Sequence, residues 1–357
     1  MNTILYNNQK TLYNRGYAAN VAFCRQKKSV VPENRPTKDE KTAWVLDGGG
    51  AKGIFQAGAM LALSRAGFIP DVIVATSIGS LNAVSALTAR TGDVINFWKN
   101  MSVKCLLSIK PDRKGVCSDS NLRNYIEKNV PVDNILERCK ENNIELVIQT
   151  AKKEAGDNLL HTAKKHTYGN AIKTFFVSQG LLDQFKQKYA YRKDIEVKEL
   201  TKNNVHDVVM ASCAIPIILP AQKIDGQLYH DGCIGVNKPV NDGYIALNAL
   251  KEKEEKGLLF VILNDSNPKR IDTSVDLKEI EGVSKIQKIV IKPENNLKTG
   301  IFRFNKVGRN AQIFMKNGYE RALEALLAAK LIQQDQFDQL KANSPLKQKN
   351  KSIDLAA

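Results

Sequence analysis

Ser77 stands in the segment Ala75-Thr76-Ser77-Ile78-Gly79, and upstream of it runs Asp47-Gly48-Gly49-Gly50-Ala51-Lys52-Gly53. A serine hydroxyl on a sharp strand-to-helix turn can attack a carbonyl carbon. Glycines entering a helix leave backbone N–H groups bare, and such donors stabilise the oxyanion that the attack creates. Nucleophile and donors together describe acyl transfer. The elements that must position them are legible too. Residues 43–46 are a short apolar run, and 54–66, rich in Ala, Leu and Met, read as a helix stopped at Gly67. Residues 72–75 read as a second buried strand, and 80–89 as a small-residue helix packed on the sheet. A right-handed strand–helix–strand crossover sets neighbouring strands about 4.8 Å apart. It brings the glycine loop and Ser77 out at the same carboxyl edge, where open α/β sheets bind their ligands.

The glycine loop has a competing reading. Gly48, Gly50 and Gly53 fit the dinucleotide fingerprint G-x-G-x-x-G. That reading requires an acid at the end of the second strand, roughly twenty residues on, to hold a ribose. The strand ends in Ala75-Thr76-Ser77, without a carboxylate, and a phosphate-binding P-loop fails because Gly53 follows Lys52. Lys52 itself is either added positive charge at the loop or a solvent-facing side chain. Among the four histidines, His161 and His166 fall in a lysine-rich loop and His206 precedes a helix. His230 neighbours Asp231 on a strand, so the two side chains point to opposite faces.

Composition narrows the function classes. A chain of 357 residues with 43% hydrophobic content can bury one large α/β core. No apolar run is long enough to span a bilayer, and no secretory leader pattern opens the chain. The six cysteines form no C-x-x-C pair, so neither a zinc site nor a disulfide framework is expected, and the thiols read as reduced. The net charge of +16 suits an anionic surface. Aromatic residues, at 7%, form no stacking platform among the basic runs, which weakens a nucleic-acid reading; charge alone does not decide, and a lipid-directed site would favour a membrane.

Further along, residues 121–129 and 132–141 read as helices, 144–149 as a core strand, and 152–167 as a basic loop or hairpin. Residues 173–205 give no clear pattern. A helix at 207–212 leads to the apolar turn Ala214-Ile215-Pro216-Ile217-Ile218-Leu219-Pro220, then to a hairpin closed by Asp225-Gly226 and ending at Asp231-Gly232. Strands follow at 258–264 and 286–292, and helices at 244–253, 308–330 and 335–341.

At this point the chain resembles the patatin-like phospholipase family. The family's D-G-G-G-x-[KR]-G motif is met by Asp47 to Gly53, and its G-x-S-x-G motif by Ala75 to Gly79 with Ala for the first Gly. Its Ala-Ser-x-x-x-Pro turn is met by Ala211 to Pro216, and its Asp-Gly-[Gly/Ala] motif by Asp231-Gly232-Cys233, with Cys in third place. The likeness covers about residues 42–295. It implies a three-layer α/β/α fold with a mainly parallel central sheet, related to the α/β-hydrolase plan. It also implies a Ser–Asp dyad in which Ser77 attacks and Asp231 takes its proton, the backbone of Gly48, Gly49, Gly50, Ala51, Lys52 and Gly53 forming the oxyanion hole.

The resemblance further implies a nucleophile elbow of Ala75, Thr76, Ile78 and Gly79, with Gly232 beside the base. No metal or cofactor is expected. The domain expectation is a basic extension over 1–41, a catalytic domain over 42–295, C-terminal helices over 296–343 packing on it, and a basic tail over 344–357. The function implied is a serine-dependent lipid acyl hydrolase acting on phospholipids or related glycerolipids. It would be cytoplasmic, peripherally bound to anionic membranes, independent of nucleic acid, and open to control by an activating partner. The alternative is a weakly active or inactive relative that binds lipid or a partner, with Ala75 and Cys233 as its marks. Residues 215–219, with Ile54 and Phe55, would line the acyl groove or simply pack the core.

Overall fold

The computed structural model describes residues 40–88, 91–100, 118–129, 132–153, 173–234, 239–250, 255–266, 285–295, 297, 303–304 and 310–346. The extension before residue 40, the loop with His161 and His166, and the end of the basic tail lie outside them. β1 (Lys41–Leu46) runs into the glycine loop, one 3-10 turn (Gly50–Lys52) and α1 (Gly53–Arg65). β2 (Val72–Thr76), α2 (Ile78–Thr88) and α3 (Thr91–Asn100) follow, then α4 (Ser120–Asn129) and α5 (Val132–Asn142). Next come β3 (Glu145–Lys153), β4 (Lys173–Val177), α6 (Leu182–Tyr189) and β5 (Ile195–Glu199). α7 (Val205–Ser212) leads to the hairpin of β6 (Gln222–Ile224) and β7 (Gln227–Asp231), followed by α8 (Pro239–Leu250). β8 (Gly257–Ile262), β9 (Ile286–Ile291), α9 (Ala311–Ala328) and α10 (Gln334–Ala342) complete the described elements.

The strands form one sheet in the order β5-β4-β3-β2-β1-β8-β9. Five of its pairings are parallel; β4 and β7 run antiparallel to β3, and β6 to β7. A parallel sheet is covered on both faces, so its strands are apolar throughout instead of alternating. β1 and β2 obey this. Trp44, Leu46, Ile73 and Ala75 pack into the core with α1, α2 and α9, while Ala43, Val45, Val72 and Val74 pack on the other side with α6 and α8. The architecture is three layers, α/β/α, as the resemblance implied.

Two local expectations change. β3 runs to Lys153, so Lys152 and Lys153 are strand residues instead of loop. The late strand β7 pairs with that end, and Lys152 Nζ reaches Glu196 Oε2 at 3.0 Å, so the charged residues are accommodated in the sheet. The unreadable 173–205 resolves into β4, α6 and β5; β5 lies at the sheet edge, half exposed, where its charged residues mask the strand pattern.

α1 is buried from Gly53 to Ser64, which explains why it lacks a polar face. Its outer cover is α9, and the two backbones nearly touch. A Cβ added at Gly58 would lie 1.9 Å from the Met315 carbonyl oxygen, and one at Gly318 would lie 1.9 Å from that of Phe55. Tyr319, buried beside this crossing, donates its hydroxyl to the Leu340 carbonyl and ties α10 down.

Candidate active site

β2 and β7 arrive from opposite directions along the same side of β3. Thr76 pairs with Gln149, and Asp231 pairs with the next residue, Thr150. Two strands meeting end to end on one rail leave residues 77 and 231 facing each other. Gly232 is required at the junction, because a Cβ there would stand 2.6 Å from the Gln149 carbonyl oxygen. Ser77 adopts φ 55, a left-handed conformation uncommon for a side chain, which turns it out of the strand. Its hydroxyl donates to Asp231 Oδ2 at 2.6 Å across 154 residues of sequence. Gly79 starts the helix close under β1, where a Cβ would lie 2.5 Å from Leu46 O.

Both members of the pair are held through α7 and the turn after it. The Ser77 N–H donates to Ser212 Oγ at 2.9 Å, and the Cys213 thiol donates to the Ser77 carbonyl at 3.3 Å. The Asp231 N–H donates to the Ala214 carbonyl at 3.0 Å. Ser212 gives its own proton to the Gln149 carbonyl at 2.8 Å, so in the 2.9 Å contact between Ser80 Oγ and Ser212 Oγ the donor is Ser80. Three consecutive residues, 212 to 214, thus clamp the serine and the aspartate together. Ser212 carried a signal in the Ala-Ser-x-x-x-Pro turn, although its contacts did not.

Asp231 is 1% exposed. Burial pushes its carboxyl from 3.8 up to about 6, against the hydrogen bonds from Ser77 and Cys233, which pull it down. The Cys233 N–H donates to Asp231 Oδ1 at 2.8 Å. The Cys233 sulphur is turned onto the glycine loop, 2.0 Å from where a Gly48 Cβ would be. Desolvation, then the negative charge of Asp231, holds the thiol well above its usual range and therefore protonated. His230 turns away from Asp231 along the strand, its Nδ1 3.3 Å from the Ala214 carbonyl oxygen.

The glycine loop is braced from beneath. Gln56 Nε2 donates to the carbonyls of Asp47 (2.7 Å) and Ile262 (2.9 Å), and Asn264 Nδ2 to those of Asp47 (2.9 Å) and Gly48 (3.0 Å). Asn82 links this brace to α2 by donating to the Gly53 carbonyl and Gln56 Oε1. Gly49, at φ 148, takes a conformation that a side chain would resist, with Asn264 filling the space a Cβ would need. Burial pushes the Asp47 carboxyl up to about 6, countered by the hydrogen bond it accepts from the Gly48 N–H and reinforced by the charge of Asp265.

Of the six N–H groups expected to face an oxyanion, three are engaged inside the loop. Gly48 donates to the Asp47 carboxylate, Lys52 to the Gly49 carbonyl and Gly53 to the Gly50 carbonyl. Those of Gly49, Gly50 and Ala51 find no acceptor among the described residues. The Lys52 side chain differs from both expectations for it. It is 7% exposed and paired with Asp265 at 2.8 Å, because the loop turns it inward beneath the sheet edge.

A second buried polar chain leaves the other face of β2. The Thr76 hydroxyl donates to Gln149 Oε1; the Gln149 amide and the Tyr189 hydroxyl both donate to Asp242, which is 1% exposed. Nothing in the spacing of these residues announced it. The apolar turn also divides its roles: Leu219 is buried, while Ile217 is 42% exposed. Among the described residues, no group of His, Cys, Asp or Glu is arranged to hold a metal.

A family model for patatin-like phospholipases matches residues 44–244, a span that holds the glycine loop, Ser77, Ser212 and Asp231 but not the supporting Ile262, Asn264 and Asp265. A stretch of 51 residues is 55% identical to the lysophospholipase nte1 of Aspergillus niger, and 53% to those of Aspergillus terreus and Aspergillus oryzae. That stretch spans 14% of this chain and only 3% of each relative. The solved structure of VipD from Legionella pneumophila aligns with 81% of this chain and 67% of its own at 13% identity and a TM-score of 0.42. With the family model covering more than half of the residues, and the glycine loop, serine elbow and aspartate meeting at one sheet edge, the chain belongs to the patatin-like phospholipase family.

Proposed function

We propose that the protein is a lipid acyl hydrolase that cleaves carboxylic ester bonds of phospholipids or related glycerolipids. The observation that carries this reading is the 2.6 Å hydrogen bond from Ser77 Oγ to the buried Asp231 carboxylate, beside a loop with uncommitted N–H donors. Family membership and the short likeness to proteins named lysophospholipases support the substrate class.

In this reading Ser77 Oγ attacks the ester carbonyl as its proton passes to Asp231. The carbonyl oxygen becomes an oxyanion met by the N–H groups of Gly49, Gly50 and Ala51 at the start of a helix, whose dipole adds to them. Collapse expels the alcohol, which takes the proton back from Asp231 and leaves the acyl group on Ser77. Water then attacks the acyl carbonyl as Asp231 accepts its proton; the bond to Ser77 Oγ breaks, Oγ takes that proton back from Asp231, and the fatty acid departs. A carboxylate of ordinary acidity is a poor base for a hydroxyl. Burial of Asp231 raises its basicity, and the loop donors lower the energy of what forms. Peripheral attachment to anionic membranes is part of the proposal and rests on the net charge of +16.

The test is to incubate wild type, Ser77→Ala and Asp231→Asn with mixed phospholipid vesicles, to measure free fatty acid, and to label with a fluorophosphonate. Wild type should release fatty acid and take the label on Ser77, and neither variant should match it. If wild type releases no more than Ser77→Ala and Ser77 takes no label, the reading fails.

A further inference from the structure

The exposed large apolar side chains among the described residues are Tyr191, Ile217, Leu228 and Ile313. Two of them, Ile217 and Leu228, belong to segments fastened to one strand. The turn holding Ile217 starts at Ala214, whose carbonyl accepts the Asp231 N–H, and ends at Gln222, which pairs with Tyr229. Leu228 lies on β7 itself, three residues before Asp231, a separation of about 10 Å along a strand. Both segments are therefore tied to the strand that carries Asp231, with the Leu228 side chain on the His230 face of that strand, opposite to Asp231.

Ile217 carries two costs at once. Its φ is 73, an outlier for a β-branched residue, and its side chain is 42% exposed. Strain of this kind persists only where the surroundings impose it. Here the Ile218 and Leu219 N–H groups both donate to the Ile215 carbonyl, and the Leu219 side chain is buried. The fold thus spends conformational strain on holding an isoleucine out in solvent, which is explicable when the apolar contact lies outside the molecule.

Charge says what lies there. Leu228 is directly opposite Lys223 on β6 and Lys153 on β3, and residues so paired share a face of the sheet. Neighbouring Lys152 and Lys198 are tied to Glu196, whereas Lys153 and Lys223 make no ion pair among the described residues. An apolar tip between two uncompensated lysines complements acyl chains beneath anionic headgroups. We propose that the Ile217 turn and the β6–β7 hairpin form the surface that seats the protein on an anionic lipid bilayer. Ile217 and Leu228 enter the acyl boundary, and Lys153 and Lys223 meet the phosphates. This rests on the acyl-hydrolase reading and assigns the docking to the hairpin instead of the basic termini.

The experiment is co-sedimentation with phosphatidylcholine vesicles, with and without phosphatidylglycerol, alongside Tm, hydrolysis of a soluble short-chain ester and fluorophosphonate labelling. Ile217→Asn keeps a residue that tolerates the left-handed region while removing the apolar tip. It should lose about tenfold or more in vesicle affinity with Tm unchanged or raised. Leu228→Ser should lose a similar amount. Lys153→Gln with Lys223→Gln should lose about fivefold per charge on phosphatidylglycerol vesicles alone, and the loss should shrink with added salt. Soluble-ester hydrolysis and labelling should stay at wild-type levels in the Leu228 and lysine variants. Wild-type vesicle affinity in the Leu228 and lysine variants would overturn the proposal and place docking elsewhere, on the termini or a protein partner. Wild type that docks through this face yet hydrolyses no ester would sink the enzyme reading alone.

Discussion

Thr76 and Ser77 are adjacent hydroxyls on opposite sides of the sheet, and each leads to a buried aspartate. Thr76 is the last residue of a strand, fully enclosed, and its hydroxyl passes through Gln149 to Asp242, which also accepts from Tyr189. Ser77 is turned out of the strand by its positive φ, and its hydroxyl meets Asp231 directly. The first chain closes on itself between β2, β3, α6 and α8, so its hydrogen bonds serve to fix the sheet against its helices. The second ends on a carboxylate that can take up a proton, next to donors with no partner among the described residues. One step along the backbone separates structural hydrogen bonding from a proposed reactive pair, and the cause is the break between β2 and β7 on the rail of β3.

That contrast can be broken by substitution. Ser77→Ala should lower fatty-acid release by about 10⁴-fold or more, since removal of a nucleophile leaves only binding and oxyanion donors. Its mirror, Thr76→Ala, should stay within a few-fold of wild type while lowering Tm. Equal losses in the two would erase the distinction. Asp231→Asn should cost about 10³-fold or more in turnover, yet raise stability at pH 8. The sign follows from the raised carboxyl. The folded state binds this proton more tightly than the unfolded chain, so its contribution to stability is present below pH 3.8 and is lost as pH rises through about 6. The gain for Asn at pH 8 is therefore on the order of 3 kcal/mol and should vanish near pH 3. Asp242→Asn places an amide NH2 against the Gln149 amide or the Tyr189 hydroxyl and should cost about 1–3 kcal/mol, as denaturant titration would record.

Wild-type kcat/KM should rise tenfold per pH unit to a plateau with a midpoint of about 6, and a midpoint near 4 would mean that another group titrates. Ser212→Ala should reduce kcat by about 10 to 10²-fold with little change in KM, because it loosens the Ser77 backbone without touching substrate. Ser212→Thr, which keeps the hydroxyl, should recover most of it. Smallest is Ala75→Gly, which restores the residue usual to the motif. Ala75 is a buried strand residue whose methyl packs in the core, so the change should alter turnover less than about twofold and cost about 0.5–1 kcal/mol of stability.

The serine elbow, the glycine loop and the aspartate were legible because each is local: a few residues whose types serve a single turn. The hairpin was legible through Asp225-Gly226, and the parallel sheet through uninterrupted apolar runs. What could not be read is long-range satisfaction of polar groups. Asn264 and Gln56 brace the loop, and Asp265 draws Lys52 inward, only because β8 lies beside β1 in the sheet. Asp242 sits in the first turn of a helix, where an acid is ordinary; its partners on β3 and α6 appear only when the layers stack. β5 escaped notice because it is short: Ile195 and Val197 alternate with Glu196, Lys198 and Glu199, too few apolar positions to stand out in a lysine-rich stretch.

The close crossing of Gly58 and Gly318 has a consequence for how the molecule comes into being on the ribosome. The glycine loop emerges early, but the helix that anchors it has its outer face covered by a segment translated near the end of the described chain. The serine waits likewise for an aspartate 154 residues away. A nascent chain that has exposed only Ser77 therefore holds no assembled Ser77–Asp231 pair, and the cover of α1 arrives later still, with α9.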